Sequence, residues 1–326
     1  MTPLDPSALD VTVVTPTFNR ARLIGRALDS VRLQTRRPAE IIVVDDCSTD
    51  GTPEVARAWG AAHGMPVRVV VMERNGGPAV ARNRGIELAT TRHVAFLDSD
   101  DEHLPTTLET LCAALAADET AVLSFGDATV VTPGGREPHG LFAPQVAVPE
   151  VATPLGGGFF VLNDATDTLL PASIIPTSAT CFDRGTALAV GGMPAQFRSG
   201  EDWLFFLRLA QRGRFVFTPT DLALHHRHDD NLTSPRAGEF VAREKLQGLQ
   251  ALGDGTAGIV LTAPQRDRVA RMLAQQHVHW RYHLSRLGLP AYLQGTRAAA
   301  ERGGSAPPRK PRDLLRALAA SLGLLR

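Results

Sequence analysis

The sequence predicts an α/β fold through its first half, with helices alone toward its end, and three observations carry that prediction. Four short, nearly continuously apolar runs occur early: "VTVVT" (11–15), "EIIVVD" (40–45), "VRVVVM" (67–72) and "HVAFLD" (93–98). Their β-branched content and length match strands buried on both faces of a parallel sheet. Helical patterns lie between them, so the chain reads as four βα units joined by right-handed crossovers. Polar residues then end three of the strands, as Thr15-Pro16-Thr17, Asp45-Asp46 and Asp98-Ser99-Asp100. Ligands of such sheets gather beyond the carboxyl ends of the strands, so these three ends point to a binding rim.

Each element has its own justification. Pro16 cannot donate to a central ladder, so it is expected to turn the chain outward after the first strand. In "ARLIGRALDSVRLQ" (21–34) the residues Leu23, Ile24, Ala27, Leu28 and Val31 recur at three- and four-residue spacing, the stripe of an amphipathic helix. Segments 53–63 and 78–90 repeat the pattern, with Pro53 and Pro78 suited to first turns. A further helix is expected over 104–117, where Asp101 or Glu102 is placed to cap it. Order weakens after about residue 126, and the Gly- and Pro-dense stretch 131–158 reads as a long irregular excursion on the substrate side. "TSATCFDR" (177–184) reads as a strand, and "EDWLFFLRLAQRG" (201–213) as a helix opened by acids and closed by Gly213. These readings give a domain over 1–233, with a nucleotide-binding half at about 11–126 and an acceptor half at about 127–233, followed by a helical region at 234–326.

Composition narrows the class. Among 326 residues, 44% are hydrophobic and 21% charged, which is ordinary for a globular protein. Lys+Arg and Asp+Glu balance at 34 each, so no global charge argues for nucleic acid as a partner. Cys47, Cys112 and Cys181 are scattered and odd in number, which gives neither a disulfide framework nor a zinc site. The start "MTPLDPSALD" has no signal-peptide pattern, and no run approaches the roughly 18 apolar residues of a spanning helix. The reading is cytoplasmic. The closing "PRKPRDLLRALAASLGLLR" is amphipathic and basic: it either packs on the domain or makes a weak contact at the inner face of the membrane.

Local charge carries the chemistry. "HVAFLDSDDEHLP" (93–105) crowds Asp98, Asp100, Asp101 and Glu102 where an apolar run ends. Capping and a solvated charge run are the bland readings; a divalent cation is the sharper one, since Mg2+ and Mn2+ take carboxylate oxygens together with substrate phosphates. Alone, Asp-x-Asp is a common string. The surroundings add weight. Asp45-Asp46 ends a neighbouring strand, and "NGGPAVARN" (75–83) opens a helix with glycine N–H groups suited to an anion, plus Arg82.

"VTPTFNRARLIGRALDSVRLQTRRPAEIIVVDDCSTDGT", followed by "NGGPAVARNRGIELATTRHVAFLDSDDEHLP", resembles glycosyltransferase family 2, with several motifs in the right order over residues 11–105. A weaker continuation is "GGMPAQFRSGEDWLFFLRLAQRGRF", and the likeness fades after about residue 233. The resemblance implies a GT-A fold, a Rossmann-like, mixed and mostly parallel sheet flanked by helices, here with a C-terminal helical extension. It implies a nucleotide-diphosphate sugar donor, most commonly a UDP-sugar, and Mn2+ or Mg2+ bridging its phosphates. Pro16, Thr17 and Asn19 would line the nucleotide pocket, Asp46 would bond the base with Asp45 beside it, and Arg82 would lie near the donor. Asp98 would face the donor's ribose or sugar, Asp100 would be the better metal ligand, and His228 would approach the metal or diphosphate. Asp202 matches the catalytic base, whose competing reading is a helix cap. A single displacement with inversion follows, to a glycan or lipid-linked acceptor.

Some residues depart from that pattern or keep a second reading. Cys47 stands where the family usually has a small residue, often Gly. Arg20, Arg22 and Arg26 read as a solvated helix start, and Trp203 either stacks on an acceptor sugar or fills the core. "QRGRF" (211–215) mimics a processive-synthase signature but follows the Glu-Asp pair too closely, so transfer of a single sugar is expected. The alternatives are a nucleotidyltransferase, which usually carries a Gly-rich basic loop after its first strand, and a non-catalytic nucleotide-sugar-binding module.

Overall fold

The computed structural model describes residues 8–140, 142, 148–228, 231, 237–301, 310–322 and 324. The chain forms two compact units, Met1–His228 and Asp229–Arg326.

The first unit opens with the expected alternation: β1 (Leu9–Thr17), α1 (Ile24–Arg32), β2 (Pro38–Asp45), α2 (Thr52–His63), β3 (Val67–Val71), α3 (Pro78–Leu88) and β4 (His93–Phe96). These strands lie in the order β3-β2-β1-β4, all parallel. Strand order reverses beside β1, between β2 and β4, and such a switch point opens a crevice at the carboxyl ends. Val11, Val13, Ile41, Val43, Ala95 and Leu97 pack with Ile24, Ala27, Leu28 and Val31 of α1 in one buried cluster. The stripe read in the sequence is therefore the face that α1 buries.

Pro16 departs from expectation by lying inside β1, opposite Val44 of β2. The reason is phase. Thr17 O accepts from Asp46 N–H at 2.8 Å on the β2 side, while Val14 O accepts from Leu97 N–H at 3.1 Å on the other. Backbone groups alternate sides along a parallel strand, so Pro16 faces the side where β4 has already ended, and no ladder bond is lost.

After β4 come β5 (Glu102–His103) and α4 (Thr107–Ala116). The helix thus starts beyond Asp101 and Glu102, which cap nothing. Next are β6 (Ala121–Thr132), β7 (Gly135–Gly140), α5 (Val148–Val151), β8 (Ala152–Gly156), β9 (Phe159–Leu162) and α6 (Ala165–Leu169). A 3-10 turn (Thr177–Ala179) leads into β10 (Thr180–Asp183), followed by α7 (Arg184–Ala189), α8 (Glu201–Ala210) and β11 (Arg214–His226). The sheet continues from β4 as β10-β6-β11-β9-β8, with β10 antiparallel to both neighbours and β11 parallel to β6. The described part of 131–158 is therefore not irregular: β7 pairs antiparallel with β6, and β8 with β9. Paired edge strands need no strict alternation of apolar side chains, which hid them in the sequence. The fold is a mixed, mostly parallel α/β sheet.

The second unit contains α9 (Gly238–Gly253), α10 (Ala263–Arg286), α11 (Leu289–Glu301) and α12 (Pro311–Ser321). A capping box between Thr262 and Gln265 starts α10, satisfying two otherwise orphaned donors. Ala242, Leu246, Trp280, Leu284, Tyr292 and Ala317 form its core. No helix among the described residues is long and apolar enough to cross a membrane.

Candidate active site at the carboxyl rim of the sheet

Beyond β4 the chain turns sharply, closed by Asp101 N–H donating to the Asp98 carbonyl at 3.0 Å. Four acidic side chains leave this turn, and each meets its own positive or imidazole partner. Asp98 Oδ1 accepts from Arg82 Nη2 at 2.7 Å. Asp100 Oδ2 lies 3.1 Å from His228 Nε2 and 3.6 Å from Arg20 Nε. Asp101, buried, accepts from Ser178 Oγ at 2.7 Å and from His226 N–H at 3.0 Å, and it sits 3.3 Å from His225 Nδ1. Glu102 Oε1 lies 2.8 Å from His226 Nε2 and 3.3 Å from Arg26 Nε. The chain thus carries counter-charges of its own for this turn, brought from α1 and its approach, from α3 and from the end of β11. Arg20 and Arg26 belong to this network and are not a solvated helix start.

The network separates the four carboxylates by role. Burial alone would raise Asp101, but the hydrogen bonds from His225 and Ser178 outweigh it and hold the carboxyl below its usual range. Burial would likewise lower His225, yet Asp101 pushes it above its ordinary value. Asp101 is thus a fixed anion that ties the end of β4 to the end of β11. Asp98 shifts the other way: burial raises it, and the Arg82 guanidinium only partly offsets this.

Arg82 links two strand-distant segments. Its guanidinium donates through Nη1 to Glu201 Oε1 at 2.8 Å as well as to Asp98, beneath a cation–π contact with Phe96 at 5.7 Å. Burial opposes its charge, but the Asp98 and Glu201 carboxylates more than compensate and raise it further. Glu201 is pushed up to about 7, first by burial and then by Asp202, in spite of Arg82. Gly200, with φ of +79°, starts α8 and presents Asp202 on its first turn. Asp202 Oδ2 accepts from Thr177 Oγ at 3.0 Å, while Oδ1 accepts from Trp203 N–H at 2.6 Å. Trp203 is core: it is buried and its indole N–H donates to the Leu169 carbonyl at 2.8 Å.

At the ends of β1 and β2 stand the residues read in the sequence as lining the nucleotide pocket. Pro16, Thr17, Asp45 and Asp46 are buried, whereas Phe18 is exposed. Asp46 Oδ1 accepts from Gly76 N–H at 2.8 Å, and Oδ2 from Gly77 N–H at 2.7 Å. The glycine amides expected to hold a ligand anion already hold this carboxylate, which pins the entrance of α3 to the end of β2. Asp45 Oδ2 accepts from Ser48 N–H at 2.8 Å, and its Oδ1 is buried without a partner, as are the Thr15 and Thr17 hydroxyls. Asn19 adopts a φ of +52° and accepts Thr49 N–H at 2.9 Å, joining the two loops that follow β1 and β2.

Among the described residues no group of three or more His, Cys, Asp or Glu side chains is arranged to hold a metal. Asp100 Oδ2 and His228 Nε2 lie 3.1 Å apart as a hydrogen-bonded pair, and a carboxylate oxygen and an imidazole nitrogen are donor types that Mn2+ takes together with phosphate and water.

The sequence model of the family described as Glycosyl transferase family 2 matches residues 12–157, from β1 through the acidic turn to β8. Over residues 12–157 the chain is that of a family 2 glycosyl transferase. TuaG of Bacillus subtilis (strain 168), a glycosyltransferase assigned to teichuronic acid biosynthesis, is 45% identical over 92 residues, 28% of this chain and 36% of that protein. The match spans about a third of the length of the first curated relatives, 36%, 32% and 37%. Among solved structures, S. aureus TarS 1-349 in complex with UDP-GlcNAc has a TM-score of 0.62 at 19% identity, covering 90% of this chain and 83% of that one. The mannosyltransferase PcManGT from Pyrobaculum calidifontis, in complex with GDP-Man and Mn2+, has a TM-score of 0.57 at 22% identity, covering 98% and 81%. At such identities the likeness is one of fold, the GT-A fold.

Proposed function

We propose that the chain transfers a single sugar, with inversion, from a nucleotide-diphosphate donor to a glycan or lipid-linked acceptor, with Mn2+ or Mg2+ as cofactor. The observation that carries this reading is the continuous path Asp98–Arg82–Glu201, which brings the candidate base Asp202 to the same rim as the Asp-x-Asp pair. UDP is the favoured nucleotide, since TarS binds UDP-GlcNAc, although PcManGT holds GDP-Man.

Each residue has a task in this reading. Phe18, exposed at the mouth of the β1 loop, offers an aromatic face to a base. Pro16, Thr17, Asn19 and Asp45 build the floor and wall of the nucleotide pocket, and Asp46 holds the Gly76–Gly77 segment against it. Asp98, fixed by Arg82, faces the ribose or sugar. Asp100 and His228, with Asp98 nearby, would hold the divalent ion, which supplies Lewis-acid neutralisation of the diphosphate leaving group. Asp202 accepts the proton of the acceptor hydroxyl as that oxygen attacks the anomeric carbon, and Thr177 orients its carboxylate.

Two measurements test the reading. Thermal unfolding with UDP or GDP, each with and without Mn2+, is expected to show stabilisation by one nucleotide only when the metal is present, because a ligand selective for the native state raises its melting temperature. Asp202→Asn is then expected to lower sugar transfer by at least about 100-fold while leaving that stabilisation intact, the usual scale of a lost general base. Near-wild-type transfer by Asp202→Asn at saturating donor and metal would sink the assignment. Metal-dependent nucleotide binding without turnover of any donor would instead favour a binding module.

A further inference from the structure

α12 buries one side and leaves an apolar stripe on another. Asp313 and Ala317 are buried within the C-terminal unit, whereas Leu315, Leu318 and Leu322 are 67%, 45% and 65% exposed. These three leucines sit at i, i+3 and i+7, one stripe of a helix. The apolar surface continues around them. Leu324 is 72% exposed and Leu287, at the end of α10, 60% exposed. Leu289 N–H donates to Ser321 Oγ at 2.7 Å, which keeps the end of α10 beside the end of α12. Contiguous exposed leucines of this kind mark a surface that is covered by something.

The charges around the stripe say by what. Residues 302–326 hold six Arg or Lys against a single acid, Asp313. That acid shows no charge to solvent: it is buried, 3.8 Å from Arg281 Nε and 3.1 Å from Arg316 Nη1. Lys310 and Arg312 are exposed beside the stripe. Arg316 lies over the Tyr282 ring at 4.7 Å, which sets a cation and an aromatic ring on the flank. Leucines on one face, basic residues along the edge and no exposed acid are the features of a helix that lies in the plane of a lipid interface. A second copy of the same face would set like charges against each other, which costs energy.

We propose that α12 docks the chain on an anionic lipid surface, with Leu315, Leu318, Leu322 and Leu324 entering the interface and Lys310 and Arg312 meeting lipid phosphates. Docking of this kind needs neither donor nor acceptor, so its failure leaves the transferase reading untouched.

Co-sedimentation of the full chain with vesicles tests it. Wild-type protein is expected to pellet with vesicles rich in phosphatidylglycerol, to stay in solution with pure phosphatidylcholine, and to lose binding as salt rises. Leu315→Gln/Leu318→Gln/Leu322→Gln is expected to lower the partition onto anionic vesicles by more than about tenfold, given what three buried leucines contribute. Lys310→Gln/Arg312→Gln removes only two exposed side chains, Arg312 lying 3.9 Å from Asp313, which keeps Arg281 and Arg316, and is expected to lower it severalfold with little change in the melting temperature. No binding to anionic vesicles, or equal binding by wild type and both variants, overturns the proposal. So does a leucine variant whose only effect is to convert an oligomer to a monomer on size exclusion, since the stripe would then belong to a second copy.

Discussion

Cys47 adopts a φ of +69°, a left-handed backbone conformation that costs a residue with a Cβ roughly 1–2 kcal/mol and glycine nothing. Cys47→Gly is therefore expected to stabilise the chain by about 0.5–1 kcal/mol after the extra entropy of glycine in the unfolded chain is deducted, read as a higher denaturant midpoint at unchanged m-value. The sequence flagged this position only because the family usually carries a small residue there; the positive φ gives the cause. Glu201 is the second case at this scale. Its carboxyl is raised from 4.5 to about 7 by burial and by Asp202, with Asp98 adding and Arg82 opposing. An acid raised on folding holds its proton more tightly in the native state, so its contribution to stability is complete below about pH 4.5 and is lost as pH rises through about 7. Melting temperatures followed across that window are expected to decline with pH in wild type and to flatten in Glu201→Gln.

Two contacts fix how neighbouring elements meet. Asp101 joins the turn after β4 to the 3-10 turn and to the end of β11 through Ser178, His225 and His226. Removing one partner of a buried charged network leaves the others uncompensated, so Asp101→Ala is expected to cost about 3 kcal/mol in equilibrium unfolding. Gly85 sets the approach of α3 to β1: a Cβ there would lie 2.2 Å from Val14 Cγ1. Gly85→Ala is expected to destabilise by about 1–3 kcal/mol, the range for overpacking a filled core, and to displace Arg82 on the same helix. Leu28 and Val31 gave α1 away through spacing alone, because the face a helix buries recurs with its turn. β7 and β8 gave no such signal, since Gly and Pro in paired strands look like loop residues. The Asp-x-Asp turn was legible for a related reason: an acidic cluster at the end of an apolar strand is a local feature. Most of its partners were not, because Arg20, Arg26, His225 and His226 arrive from elements far away in the chain, and Arg82 and His228 were named only through the family resemblance.

For the whole molecule, charge balance is the property that sets behaviour in solution. With 34 basic and 34 acidic side chains the formal net charge is +0 at pH 7. Proteins near zero net charge repel one another least. Light scattering at low salt is expected to show the strongest self-attraction near pH 7 and weaker attraction as the pH moves to either side. The balance is global only, since the acidic turn of the first unit and the basic α12 of the second each carry a local imbalance. The first of these the fold neutralises internally.

By itself the sequence determined the parallel α/β core, the rim on which polar strand ends gather, and the residues at that rim, because hydrophobic period and strand-end chemistry are encoded within a few adjacent positions. Only the tertiary structure decided which charge meets which: that Asp46 holds the glycine amides of α3, that Arg82 spans Asp98 and Glu201, and that Asp101 is a tie rather than a ligand. The physical reason is range. Apolar patterning acts on neighbours along the chain, whereas a buried carboxylate is satisfied by whichever donor the crossovers bring within about 3 Å, and no local pattern names that donor.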